Sequence, residues 1–406
     1  MAGAFLMVYG FISLLGAVNA ARPVTNPTAR FPAIWLWAML VGEYAGPLLV
    51  MRLAATGGLV LLGALNNTAG VVGFVFMALG QAVLALVWLL SRSEARRLTS
   101  ALPPAHRVRA HSWRERLTRR PTLMPSGTEL ICNVEFDGGA ADVYQPQANN
   151  GPAPALIYVH GGSWTSGDPH QQSRTLFHHF AANGWHVFAV RYPLAPTPTF
   201  PANLEAVMEA VRWVRDRPEI NADRVVLAGG SAGGHLATLA ALRLSAENLS
   251  DAPAACVPLY GVFDFANRNN TRPHWEVIPR AVLGARLAEN PALYRDASPL
   301  DQVHPDAPPM LVVHGTFDSL VPPQESAQFV AALRQSSHSD VQYLRVRGGQ
   351  HAFDAISSPR TRAVVGAISE WLSSALPTTT SPRHRASTEE DLPGSGGPML
   401  DRPSGG

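Results

Sequence analysis

Charge is scarce at the start of this chain. Among the first 90 of 406 residues only Arg22, Arg30, Glu43 and Arg52 are charged, and the other 316 residues hold the remaining 58 of 62 charges. That split excludes a wholly soluble protein and a wholly membrane-embedded one, and it predicts a membrane part followed by a soluble part. Cysteine is nearly absent. Cys132 and Cys256 lie far apart, which excludes a disulfide scaffold and forms no metal or redox motif. Each sits in an apolar run and is expected to be a small core residue. Lysine is missing altogether, a matter of coding bias rather than mechanism. No internal repeat is present, and the composition also excludes a disordered chain and a coiled coil.

The net charge of +2 conceals one basic stripe. Ser91 to Arg120 contains nine Arg and two Glu, a local net of +7 that leaves −5 for the rest. A single stripe is not a basic protein, so nucleic acid is excluded as a partner. Beside a membrane, such a stripe is either a contact for anionic lipid or a solvated linker helix.

Three apolar segments are expected to span the membrane. Ala2–Ala21 carries no charge and has the required length. It lacks the basic start of a signal peptide and more apolar sequence follows, so a retained span is preferred despite Val18-Asn19-Ala20. Pro32–Val50 is the second, with Pro47 as the expected kink, and Ala69–Leu90 is the third. Glu43 within the second is expected to sit near an end or to pair with Arg52. Arginines after the third span and in the first loop place the following domain in the cytoplasm of a multi-pass cell-membrane protein. The expected organisation is residues 1–90 transmembrane, 91–124 an Arg-rich juxtamembrane linker, 125–376 a catalytic domain and 377–406 a disordered tail.

From residue 129, short β-rich runs alternate with helical patterns. Several of the runs, such as Val225-Val226-Leu227-Ala228, are continuously apolar, as befits strands buried on both faces. The pattern predicts an α/β fold with a mostly parallel sheet.

Four motifs fall at the ends of four of those strands. Gly229-Gly230-Ser231-Ala232-Gly233 lies between a strand and a helix, the setting in which G-x-S-x-G lifts a nucleophilic serine above a sheet. His160-Gly161-Gly162-Ser163-Trp164 offers two consecutive glycines whose N–H groups can face a substrate carbonyl, with Ala232 as a third donor. Asp318 follows His314-Gly315-Thr316-Phe317, where it can orient an imidazole. His351 follows Gly348-Gly349-Gln350. It is the one histidine beyond Asp318 that succeeds a core strand, since His338 lies in a polar turn and His384 in the tail. His160 precedes the serine and is expected to be structural. Asp354 is a rival acid, expected instead to open or cap the last helix. His178-His179 would point apart on a helix and are expected at the surface.

The order Ser231, Asp318, His351 resembles that of the α/β-hydrolase superfamily. More narrowly, the chain resembles HGG-type carboxylesterases of the hormone-sensitive-lipase-like branch. Tyr192-Pro193-Leu194-Ala195-Pro196 is similar to that branch's Y-R-L-A-P, and Gly229–Gly234 to its G-D-S-A-G-G. It also resembles membrane-anchored esterases of high-GC Gram-positive bacteria. Gly230 replaces the usual Asp, Ser163 a third Gly and Pro193 the Arg. The Asp318 segment is just as similar to peptidase-like and feruloyl-esterase-like branches.

The resemblance implies an α/β-hydrolase fold and a serine carboxylesterase or lipase. Ser231 would attack an ester, His351 would shuttle the proton, Asp318 would hold His351, and Gly161, Gly162 and Ala232 would bind the oxyanion. No metal or cofactor is called for. Trp164 and Trp275 are expected to contact substrate, and the long excursion Phe263–Asp306 to cover the site. The expected partners are a small-molecule or lipid ester and the membrane lipids met by the spans and the Arg-rich linker. Alternatives are an acyltransferase, amidase or peptidase on the same triad, or a silent lipid-binding domain.

Overall fold

The β-rich runs form eight strands among the described residues: β1 (Thr128–Phe136), β2 (Gly139–Pro146), β3 (Ala153–Val159), β4 (His186–Arg191), β5 (Ile220–Gly230), β6 (Ala255–Leu259), β7 (Met310–Gly315) and β8 (Val341–Val346). They make one sheet in the order β1-β2-β4-β3-β5-β6-β7-β8. Pairings among β1, β2 and β4 are antiparallel, and all pairings from β4 through β3 to β8 are parallel. The computed structural model describes residues 1–24, 33–108, 128–146, 151–169, 172–197, 200–248, 250–272 and 275–376. The linker at 121–127, the last part of the Arg-rich stripe at 109–120 and the tail from Pro377 lie outside the described residues.

Strand period explains the layers. Ile157 and Val159 face one side with Val225 and Leu227, under α6 (Ala202–Arg215), α7 (Ala232–Glu247) and α10 (Pro323–Ser336). Leu156 and Tyr158 face the other with Val226 and Ala228, under α5 (Arg174–Ala182) and α11 (Pro359–Ala375). Both faces are covered, so the central strands read as unbroken apolar runs. The excursion after β6 carries two short helices, α8 (Val277–Leu283) and α9 (Pro291–Asp296). Cys256 is buried as expected. Cys132 is exposed, because β1 is an edge strand with much of its length open.

The N-terminal part consists of α1 (Ala2–Ala21), α2 (Ala33–Glu43), α3 (Ala45–Leu61) and α4 (Thr68–Ser100). By length and composition α1 and α4 can each cross a membrane, and α2 with α3 would make a third crossing bent by 85°. The bend falls at Tyr44, not at Pro47. Pro47 occupies the first turn of α3, where no backbone donor is needed and proline is tolerated. α4 does not stop at Leu90. It continues through Arg92, Arg96 and Arg97 to Ser100, across the expected boundary between span and linker.

Small residues let α1 and α4 touch through their backbones. A Cβ at Gly10 would lie 2.4 Å from the Gly73 carbonyl oxygen, and one at Gly73 would lie 2.4 Å from the Met7 nitrogen. The side chains expected to pair do not. Arg52 donates to the Ser13 carbonyl at 3.2 Å, while Glu43 forms a buried ion pair with Arg360 at the start of α11. That partner is 317 residues away in sequence.

Candidate active site

Ser231 sits in the turn from β5 into α7 with φ 56° and ψ −119°. This strained conformation raises its hydroxyl above the sheet. The turn requires close approach as well: a Cβ at Gly233 would lie 2.0 Å from the Val159 carbonyl oxygen. A side chain at Gly230, where related elbows carry Asp, would meet the Tyr158 and Tyr260 hydroxyls, each 2.8 Å from its Cβ position. Those two tyrosines therefore occupy the room that an acid would take.

The Ser231 hydroxyl donates to Nε2 of His351 at 2.9 Å, and Nδ1–H of His351 donates to Oδ2 of Asp318 at 2.8 Å. The three residues follow β5, β7 and β8, so parallel pairing brings their loops to one end of the sheet. Asp318 is fully supplied with donors. Oδ1 accepts from the backbone of Leu320 (3.0 Å) and Val321 (2.8 Å), while Oδ2 also meets Nε2 of His314 at 3.0 Å. Burial alone would raise its pKa. The charge available to His351 and the hydrogen bonds from both histidines outweigh it and hold the carboxyl well below the usual carboxylate range. Among the described residues, His314 also meets the Val321 carbonyl through Nε2 and the Ser326 hydroxyl through Nδ1. The two oxygen acceptors at Nε2 put a proton on that nitrogen.

Sequence reasoning missed several supporting groups. Oε1 of Gln350 accepts from Ser319 N and His351 N, both at 2.8 Å, and so joins the loop of Asp318 to the loop of His351. His235, just after the elbow motif, is buried and accepts from Trp164 Nε1 at 3.0 Å while donating from Nε2 to the Ala297 carbonyl at 2.7 Å. Burial pulls its pKa down to about 4, with the bond to Ala297 opposing. It thereby ties α7, the glycine loop and the excursion after β6 together in the neutral state.

The glycine loop after β3 lies beside the serine. Gly162 has φ +136°, and a Cβ there would lie 1.9 Å from the Ser166 carbonyl oxygen, so only glycine fits. Ala232 opens α7 next to Ser231, with helix N–H groups directed toward the site. Gly161 is different, because its N–H donates to Gln172 Oε1 at 2.7 Å and Gln172 Nε2 donates back to the Gly161 carbonyl at 3.2 Å. Gln172 lies beyond the motif, where no local signal marks it.

Other expected residues stand elsewhere. Trp164 is 2% exposed, in a cluster with His235, Phe265 and Trp275. Its place is the framework of the glycine loop rather than an open wall. Trp275 donates to the Phe265 carbonyl at 2.8 Å beneath the Arg272 guanidinium. His160 is structural as expected: it is buried, stacks on Tyr192 and is bonded to the Gly161 carbonyl. Asp354 neither opens nor caps α11, a task that falls to Ser358, whose Oγ accepts from Thr361 N. Instead it is buried and accepts from the hydroxyls of Tyr260 and Ser173, and burial raises its pKa against the pull of those bonds. His179 is buried against Phe180 rather than at the surface.

Two aromatic rings flank His351. Tyr260 approaches from β6 with centroids 4.9 Å apart. Trp35 approaches from α2, edge-on at 5.7 Å and 89°.

Comparison with known proteins agrees with this architecture. A family profile described as BD-FAE matches residues 141–333. The chain is 30% identical over 402 residues to the probable carboxylic ester hydrolase LipM of Mycobacterium tuberculosis, covering 90% of this chain and 92% of LipM. It is 36% identical over 233 residues to esterase LipQ of the same organism, covering 54% of this chain and 55% of LipQ. Among solved structures, a truncated carbohydrate esterase from gut microbiota superposes with a TM-score of 0.54 at 20% identity, covering 62% of this chain and 98% of the other, a likeness of fold. The chain belongs to the α/β-hydrolase carboxylic ester hydrolases, in their hormone-sensitive-lipase-like branch.

Proposed function

We propose that the protein is a membrane-anchored serine carboxylesterase that acts on apolar, lipid-like esters. The observation that carries this reading is the continuous relay from Ser231 through His351 to Asp318, at 2.9 and 2.8 Å. Ser231 Oγ attacks the ester carbonyl as Nε2 of His351 takes its proton. The imidazolium is stabilised by Asp318, which stays ionised throughout. The oxyanion is received by N–H groups of Gly162 and Ala232, with Gly161 able to join once Gln172 releases it. His351 then protonates the leaving alcohol, and a water activated by the same ring hydrolyses the acyl-enzyme.

Anchoring rests on α1 and α4, each apolar along a membrane-spanning length. By the positive-inside rule, the arginines that follow the apolar part of α4 support a cytoplasmic position for that end and for the hydrolase domain. The apolar-substrate reading rests on this location.

The test is turnover of p-nitrophenyl esters from acetyl to palmitoyl by the membrane-extracted protein and its Ser231→Ala variant. Loss of about 10⁴-fold or more in kcat is expected, comparable to removing such a nucleophile elsewhere. No turnover at any chain length by folded wild-type protein would point to a silent binding domain.

A further inference from the structure

The loop that carries His351 is held from the membrane side at three points. Glu94 on α4 accepts from the Arg347 backbone N–H at 3.2 Å, just after β8. Trp35 on α2 meets the ring of His351. Glu43, at the other end of α2, is ion-paired with Arg360 where α11 begins, both side chains almost fully buried. Two apolar helices therefore grip the chain before, at and after the histidine of the relay.

Helical spacing shows how α2 does this. Trp35, Met39 and Glu43 recur every four residues and form one stripe. Met39 and Glu43 are buried, and the stripe's two ends touch His351 and Arg360 across about 12 Å of helix. The neighbouring stripe, Leu36, Leu40 and Tyr44, is exposed. One face of α2 thus meets the hydrolase beside its histidine, and the next presents bare apolar side chains outward. In a membrane protein the medium that accepts such a face is lipid.

We infer that Trp35 is a specificity-determining residue: it forms a wall of the acyl site, and α2 is the rail along which a lipid-phase ester reaches Ser231. An ester carbonyl within reach of Ser231 lies next to His351, and the indole of Trp35 is the apolar surface that meets that ring from α2. An alkyl chain extending past Trp35 would remain against Leu36 and Leu40 and need not enter water. The substrate class is accordingly an ester with an alkyl chain long enough to partition into the bilayer. This inference rests on the serine-esterase reading.

The experiment uses full-length protein in phosphatidylcholine vesicles and compares kcat/KM for p-nitrophenyl decanoate and acetate. In Trp35→Ala the decanoate-to-acetate ratio should fall about tenfold, the scale of a few methylenes losing an apolar wall. Trp35→Phe should recover most of it. Reaction of Ser231 with a fluorophosphonate reports site integrity in each variant. Trp35→Leu repeats the comparison if the alanine protein does not fold. A parallel loss on both esters, or an unchanged ratio, overturns the inference and leaves Trp35 a structural residue. Failure of the wild type to turn over either ester or to react with the fluorophosphonate would instead overturn the esterase reading.

Discussion

The two parts of the molecule are packed by different means. In the hydrolase domain, branched and aromatic side chains fill the space between sheet and helices, with Leu227, Phe329 and Leu236 fully buried. There water is the alternative environment, so burying apolar surface is itself the driving force. Between α1 and α4, glycines bring backbone against backbone, and many large apolar side chains such as Phe5, Leu79 and Leu90 point outward. On the proposed membrane placement, lipid would offer those side chains nothing worse than a protein interior does, so close contact rather than burial would hold the helices together. A large apolar residue therefore stabilises one region and would disrupt the other.

Opposite substitutions sharpen the contrast. Leu227→Ala should lower the stability of the hydrolase domain by about 3 kcal/mol through the cavity it leaves. Gly73→Leu should separate α1 from α4, read as lost disulfide crosslinking between cysteines placed on the two helices, while the hydrolase transition stays where it was. Equal shifts of one common transition would show a single cooperative unit and break the comparison.

Acid should weaken the hydrolase domain. His235 and His179 are held neutral by burial, each with a pKa near 4 against 6.5 when exposed. Between those values the unfolded chain takes up protons that the folded one refuses. Stability is therefore greatest above pH 6.5 and falls as pH drops toward 4, by on the order of 2–3 kcal/mol per histidine. Chemical denaturation at pH 7 and pH 4.5 measures the loss, and His235→Asn should reduce it. A smaller effect is expected at Arg212, whose contacts to Glu209, Glu247 and Asp251 are 3.6–3.8 Å long and solvent-exposed. Arg212→Ala should change stability by less than about 0.5 kcal/mol, and high salt should erase the difference.

The sheet and the relay were legible because their signals are local. Buried parallel strands are written as apolar runs, and the elbow and the loops of Asp318 and His351 carry their glycines beside the residues of the hydrogen-bonded relay. What escaped depends on distant partners. Nothing near Glu43 announces Arg360, and nothing near Gly161 announces Gln172. The bend at Tyr44 was assigned to Pro47, since proline is the usual breaker, yet a proline in a first helical turn breaks nothing. Asp354 read as a helix cap from its place before α11, whereas the fold turns it inward to Tyr260 and Ser173.

The length of α4 sets how the enzyme meets its surroundings. Its 33 residues extend about 50 Å, against roughly 30 Å of hydrocarbon. The surplus is a stiff strut that ends on the catalytic domain through Glu94, not a pliable leash. On the proposed membrane-anchored reading, an enzyme mounted in this way would not tumble freely in the aqueous phase. Its encounters with substrate would become a search in two dimensions, governed by the surface density of ester and the lateral fluidity of the bilayer rather than by bulk concentration.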